Sequence, residues 1–230
     1  MSAKIYSIAK QLLGALLVVT IPRISSEIAT KTIDFVRNRL EEIFSYIIMI
    51  TGPASVGMFM LSRNIVYFLS GNEYIQATTS LKILSIALVF AILVTFYVYV
   101  ILIPFKKEKI ALFSTMLSAF VNLLLNIVLI PIFSEKAAAF TTLLSELITM
   151  IIGIIYVRKI VKLNTYKPLL VGIVNSIITF IVCKLVLSFE ITNLLQIVFS
   201  VVIVGLITLL NIAIFHFTKK KKQLYFLMTL

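Results

Sequence analysis

The chain has 230 residues, 61% of them hydrophobic, with a mean hydropathy of +1.13. Charged residues make up only 13%, about half the share in a soluble domain, which excludes an ordinary soluble globular protein. The net charge of +12 does not point to nucleic acid, because the basic residues gather at the ends of apolar runs and not on one face interleaved with stacking aromatics.

Taken in chain order, the apolar runs predict seven membrane spans, at 4–24, 43–61, 81–104, 110–133, 137–157, 168–189 and 194–217. Each is long enough to cross a hydrocarbon core of about 30 Å at 1.5 Å per residue. The first is the weakest, since Lys4, Lys10 and Arg23 leave only 11–22 free of charge. No small-residue cleavage site follows it, so no cleavable signal peptide is expected. The second and third runs are uncharged over 43–61 and 83–105. Helix breakers at Gly52-Pro53, Pro104, Pro131 and Pro168 are tolerated in membrane helices when neighbours satisfy the freed carbonyls. The expected class is an all-α integral membrane protein of about seven transmembrane helices.

Orientation follows from the basic residues. One set of connections holds Arg23, Lys31, Arg37 and Arg39, then Lys106, Lys107 and Lys109, then Arg158, Lys159, Lys162 and Lys167, then the lysines at 219–222. The opposite set holds only Lys4, Lys10, Arg63, Lys82, Lys136 and Lys184. The richer side is expected to be cytoplasmic, which puts the N-terminus outside and the C-terminus inside. A chain that begins outside on so weak a span is expected to follow an upstream segment. The tail at 219–222 reads as a positive-inside flank or, alternatively, as a basic anchor on anionic lipid.

Ionisable groups inside a span cost about 2.5–3.5 kcal/mol on insertion scales, so each needs a reason. Glu146 is the deepest, on a stripe with Thr142, Thr149 and Gly153. Span four carries its own stripe of Ser114, Ser118, Asn122 and Asn126. Asn122 and Glu146 lie at matching depth on helices joined by a tight turn. Two readings stay open: a structural hydrogen bond from Glu146 to Asn122 or Asn126, and a proton or ion relay through Glu146. Lys184 is close enough to a helix end to snorkel. Lys4 and Lys10 read either as snorkelling flank residues or, if the helix continues upstream, as cavity lysines suited to a phosphate-bearing substrate. Asn175, Ser176 and Asn211 read as helix–helix glue. Cys183 and His216 each stand alone in apolar surroundings, too few for a disulfide, metal or Cys/His catalytic site. No nucleophile–base or metal constellation is present, so neither an enzyme nor a cofactor is expected.

Several motifs then occur in order: Ala3-Lys4-Ile5-Tyr6, Ile21-Pro22-Arg23-Ile24-Ser25, Gly52-Pro53, Ser70-Gly71-Asn72-Glu73-Tyr74, Leu81-Lys82-Ile83-Leu84-Ser85, and Asn122-Leu123-Leu124-Leu125-Asn126 leading to Leu129-Ile130-Pro131 and Glu146. With these the chain resembles polysaccharide flippases of the Wzx type, in the superfamily that includes MATE antiporters and the lipid II flippase. The resemblance implies helices eight to fourteen of a fourteen-helix, two-lobe transporter. Residues 1–162 would form a partial second lobe of five helices, and 163–230 a C-terminal helix pair with a basic cytoplasmic tail. One departure is the turn Ser134-Glu135-Lys136-Ala137-Ala138-Ala139, where the family has a Gly/Ala-rich turn.

The resemblance also implies a function: flipping undecaprenyl-pyrophosphate-linked oligosaccharide units to the outer leaflet for surface polysaccharide synthesis. The expected partners are that lipid-linked oligosaccharide, membrane lipids and a missing N-terminal lobe, in the cell membrane. Lys4 stands where the family often has a basic cavity residue, and Lys10 joins it by depth. Arg23 would bind backbone carbonyls or headgroups. The alternatives are half of a cation-coupled drug antiporter using Glu146, and a non-transporting fragment, since a single lobe cannot enclose a two-lobe cavity.

Overall fold

The computed structural model describes residues 1–228, with side chains through Phe217, and every regular element in it is helical. Seven helices or helix pairs are long and apolar enough to cross a membrane. In lipid this is the expected outcome, because a helix satisfies its backbone donors and acceptors within its own segment.

The first span, Ser2–Thr30, is broken in two. Helix α1 (Ser2–Val18) gives way at Thr20 to α2 (Ile21–Thr30). Pro22 has no N–H to offer the carbonyl of Val18, and the Thr20 hydroxyl bonds the Leu17 carbonyl at 2.6 Å instead. Helix α3 runs Ile33–Met60, ten residues longer at its start than the apolar run at 43–61. Thr32 caps it by accepting from the Phe35 N–H, and Asp34 sits in the first turn, where the helix dipole favours an anion. The charged stretch 33–42, read from hydropathy as a connection, is therefore helix.

A short helix α4 (Ser62–Ser70) follows and ends at Gly71, whose φ of +72° suits a residue without a Cβ. Its Asn64 amide donates to Asn193 and Gln196 at the start of α9 (Asn193–Met228). Helix α5 (Ala77–Val94) passes into a π-helical stretch, Thr95–Leu102. Beyond Lys82 it carries no charge, and it is apolar on all sides, as suits a helix surrounded by others.

Helices α1, α3 and α7 (Glu135–Ile160) pack around α5 and its π-helical end. Gly153 of α7 lets the π segment approach, since a Cβ there would stand 3.1 Å from the Cβ of Tyr97. Helix α6 (Glu108–Phe133) lies outside α7, joined to it through Ser134 at a φ of 52°. The departure noted at this turn is thus a one-residue connection. Helix α8 (Tyr166–Leu187) lies against α3, and α9 against α8, α3 and α4. Asn211 of α9 donates to Asn175 of α8 at 2.9 Å, so these two do join helices, whereas Ser176 bonds its own helix at Gly172. Cys183 is buried and Lys184 is exposed in the last turn of α8. The lysines at 219–222 lie outside the described side chains.

Alternation of the spans collects Arg23, Arg39 and Lys106 at one end of the bundle, called here the basic end. The first span, α6 and α9 have few fully buried positions, 11%, 6% and 11% of their most apolar windows. Their apolar outer surfaces require lipid or further protein around them.

Candidate functional site

Glu146 is a carboxylate near the middle of its span, about 17 Å along α7 at 1.5 Å per residue. Its partners are on α1. The Tyr6 hydroxyl donates to Glu146 Oε1 at 3.1 Å, and the Lys10 ammonium forms an ion pair with the same oxygen. Tyr6 and Lys10 are four residues apart, so helical geometry presents both to one neighbour. Tyr6 is buried against the α5 core, and its hydroxyl is the polar tip of an otherwise apolar contact. Glu146 is 14% exposed and Lys10 39% exposed, so the carboxylate is enclosed while the ammonium lies at the open edge.

This corrects the expectation that Glu146 bonds Asn122 or Asn126. Those amides bond each other, with Asn126 Nδ2 donating to Asn122 Oδ1 at 2.9 Å. Asn126 Oδ1 in turn accepts from Thr141 of α7 at 2.7 Å, one and a half turns before Glu146. The α6 stripe does meet α7, but beside the expected stripe, at Thr141 and at Ser145, whose hydroxyl reaches the Ser118 carbonyl at 3.5 Å. A residue that packs α7 against α6 and one that faces α1 are separated by only a fraction of a turn, and the sequence alone gave no sign of which face was which. The signal for Tyr6 lay in its spacing from Lys10, but only the packing around α5 brings α1 to α7.

Lys4 lies six residues before Lys10, about 9 Å along the helix. Among the described residues nothing pairs with it, and it is exposed. Ser7 and Gln11, bonded to each other at 2.9 Å, complete a polar flank with Lys4 on a helix otherwise rich in Ile and Leu. Lys10 stands at the border between this flank and the buried face.

At the basic end, Arg23 bonds Glu27 at 2.9 Å, and Arg39 bonds Glu42 at 2.9 Å. Arg23 is thus paired with a carboxylate of its own helix and not with the backbone carbonyl that was one of its two expected partners, the other being a headgroup. A cleft of about 600 Å³ opens there between the start of α3 and the start of α8, with Arg39, Glu41, Asn164 and Lys167 in its wall. Glu41 closes one side by accepting from the Asn164 N–H at 2.7 Å. A second, apolar groove of about 500 Å³ runs between α3 and α9, lined by Pro53, Gly57, Leu61, Val201 and Gly205, with Cys183 also in its wall. Among the described residues no group of three His, Cys, Asp or Glu side chains is placed to hold a metal ion.

Lys4 and Lys10 thus lie in the first half of the first span, and the apolar groove lies between α3 and α9. No curated protein matches this chain. The chain is similar to a solved structure described as lipid II flippase MurJ in an inward closed conformation, with a TM-score of 0.76 and 18% identity. That likeness covers 94% of this chain and 46% of the flippase, so the chain spans under half the length of that protein. The model of the family described as lipid II flippase MurJ matches residues 2–222. The expected superfamily is consistent with these matches, and the branch they name is the lipid II flippase. The chain belongs to the MurJ lipid II flippase family.

Proposed function

We propose that this chain is one lobe of a transporter that flips a polyprenyl-pyrophosphate-linked saccharide between membrane leaflets. The carrying observation is the polar flank in the first half of the first span, where Lys4 is exposed and Lys10 stands at its border. Cations held there offer charge-assisted hydrogen bonds to phosphate oxygens. The apolar groove between α3 and α9 suits the hydrocarbon tail of the same molecule. The family match favours lipid II as the saccharide lipid, whereas the sequence motifs suggested a surface-polysaccharide repeat unit. Both carry the same pyrophosphate linkage, so the flank serves either.

Alternating access needs two bodies moving about a shared site, and this chain is close in length to one of them. The working protein then includes a second lobe, whether on the same polypeptide or on another. An antiporter reading with Glu146 as a cation site is weaker, because Lys10 already neutralises that carboxylate.

The test is export in cells depleted of their own flippase, with the chain supplied alone or joined to an upstream lobe. The joined protein is expected to restore transfer of the lipid-linked precursor to the outer leaflet, and the chain alone is not. In the joined protein, Lys4→Ala and Lys10→Ala should each lower transfer by about tenfold, the loss of one charge-assisted contact. Lys184→Ala, at an exposed helix end, should change it little. Full transfer by the 230-residue chain alone would refute the one-lobe reading.

A further inference from the structure

The ion pair at the centre of the site has an asymmetry that its neighbours make useful. Glu146 is enclosed by α1 and α7, while Lys10 borders the open polar flank. An anion reaching that flank meets Lys4 without a partner and Lys10 already engaged. Lys10 gives the anion its undivided charge only by loosening its hold on Glu146. The carboxylate then keeps one partner, the Tyr6 hydroxyl, which already donates to the same oxygen.

Resting on the flippase reading above, we propose that the Lys10–Glu146 pair is a charge filter for the headgroup, with Glu146 as a built-in competitor and Tyr6 as its holder. The filter works by charge number. A phosphodiester of an ordinary anionic bilayer lipid carries a single negative charge, as Glu146 does. Exchanging one for the other gains nothing and leaves a largely enclosed carboxylate with the Tyr6 hydroxyl in place of a cation, which is unfavourable. A pyrophosphate linkage carries twice that charge over a short distance and engages Lys4 and Lys10 together, so it can displace Glu146 where the phosphodiester cannot. The pair thereby keeps the abundant anionic lipids of the membrane off a site built for a rarer one. Specificity here comes from a repulsive and competing element as much as from attraction. Tyr6 lowers the barrier to exchange by ensuring that the displaced carboxylate is not left without a donor.

The experiment uses the chain joined to an upstream lobe, in phosphatidylcholine nanodiscs, with radiolabelled farnesyl pyrophosphate as ligand and phosphatidylglycerol, added to the bilayer, as competitor. In the wild type, phosphatidylglycerol should compete poorly. In Glu146→Gln it should compete about tenfold better, while farnesyl pyrophosphate itself binds a few-fold more tightly. Lys10→Gln should weaken farnesyl pyrophosphate by about tenfold and make it indifferent to the Glu146 change. Tyr6→Phe leaves both charges in place and should weaken the ligand about threefold, with no effect once Glu146 is Gln.

A merely structural ion pair predicts the opposite sign, with Glu146→Gln loosening the site and weakening the ligand. Equal competition by phosphatidylglycerol in the wild type and Glu146→Gln overturns the filter. If Glu146→Gln fails to fold, Tyr6→Phe decides alone, and unchanged or tighter binding overturns the filter. If Lys10→Gln weakens binding in either of those cases, the anion site stands and only the filter falls. Absence of farnesyl pyrophosphate binding in both the wild type and Glu146→Gln overturns the filter together with the anion site.

Discussion

Gly52 has no room for a side chain. A Cβ there would stand 2.5 Å from the Ser176 hydroxyl and 3.3 Å from the Gly172 carbonyl, so α3 and α8 meet almost backbone to backbone. Gly172 answers from the other side, with Ile48 filling the space its own Cβ would take. In a bilayer this closeness matters more than in water. Lipid tails are as apolar as the side chains, and helices associate through dispersion and hydrogen bonds between close surfaces. Gly52→Leu is expected to lower stability by about 1–3 kcal/mol, the usual range for overpacking a filled site. A thermal melt in detergent measures it. Gly57→Ala is the control: a Cβ there meets nothing within 4 Å, and the melt should be unchanged or higher.

Among the elements, the α6–α7 hairpin depends most on polar contacts, because α6 buries almost none of its surface elsewhere. The Asn122–Asn126–Thr141 chain of hydrogen bonds is the specific part of that contact. Asn126→Leu should destabilise the hairpin by about 0.6 kcal/mol, the average measured for interhelical hydrogen bonds in membranes, and by at most about 1.7. Thr141→Val in the same background should add little, since both changes remove one bond. Detergent melts of the two single variants and the double variant measure the coupling, and fully additive losses would show that the bond carries no energy. The helical extension 33–42 belongs to the same scale. Its Arg37 pairs with Asp34 at 3.0 Å and its Arg39 with Glu42, so a charged segment stays helical beyond the apolar part of its span.

At the scale of the whole molecule the basic residues set direction across the membrane. The excess of basic residues at one end predicts that this end faces the cytoplasm. In a Cys183→Ser background, cysteines at Asn72 and Thr192 should label with an impermeant maleimide in intact cells, and one at Glu108 should not. Labelling at 108 with silence at 72 would invert the bundle. At the same scale, the exposed apolar surfaces of α1, α6 and α9 divide between lipid and a second lobe. The polar flank of α1 marks the part least suited to lipid.

The sequence by itself determined the class and the number of spans, because transfer of a run of residues into hydrocarbon depends on that run alone. It also marked Lys4, Lys10, Glu146, Asn122 and Asn126 as residues needing partners, since an ionisable or amide group in an apolar run is costly wherever the run ends up. It did not reveal the helix at 33–42, because hydropathy detects the bilayer and not the backbone hydrogen bonds that continue past it. Which partner each polar group took was decided only in the tertiary structure. Glu146 turned from its sequence neighbour α6 to the distant α1 because both α1 and α7 pack on α5, bringing Tyr6 and Lys10 to its depth. Depth can be counted along one helix, but the face a helix shows its neighbour depends on how all the helices around it pack.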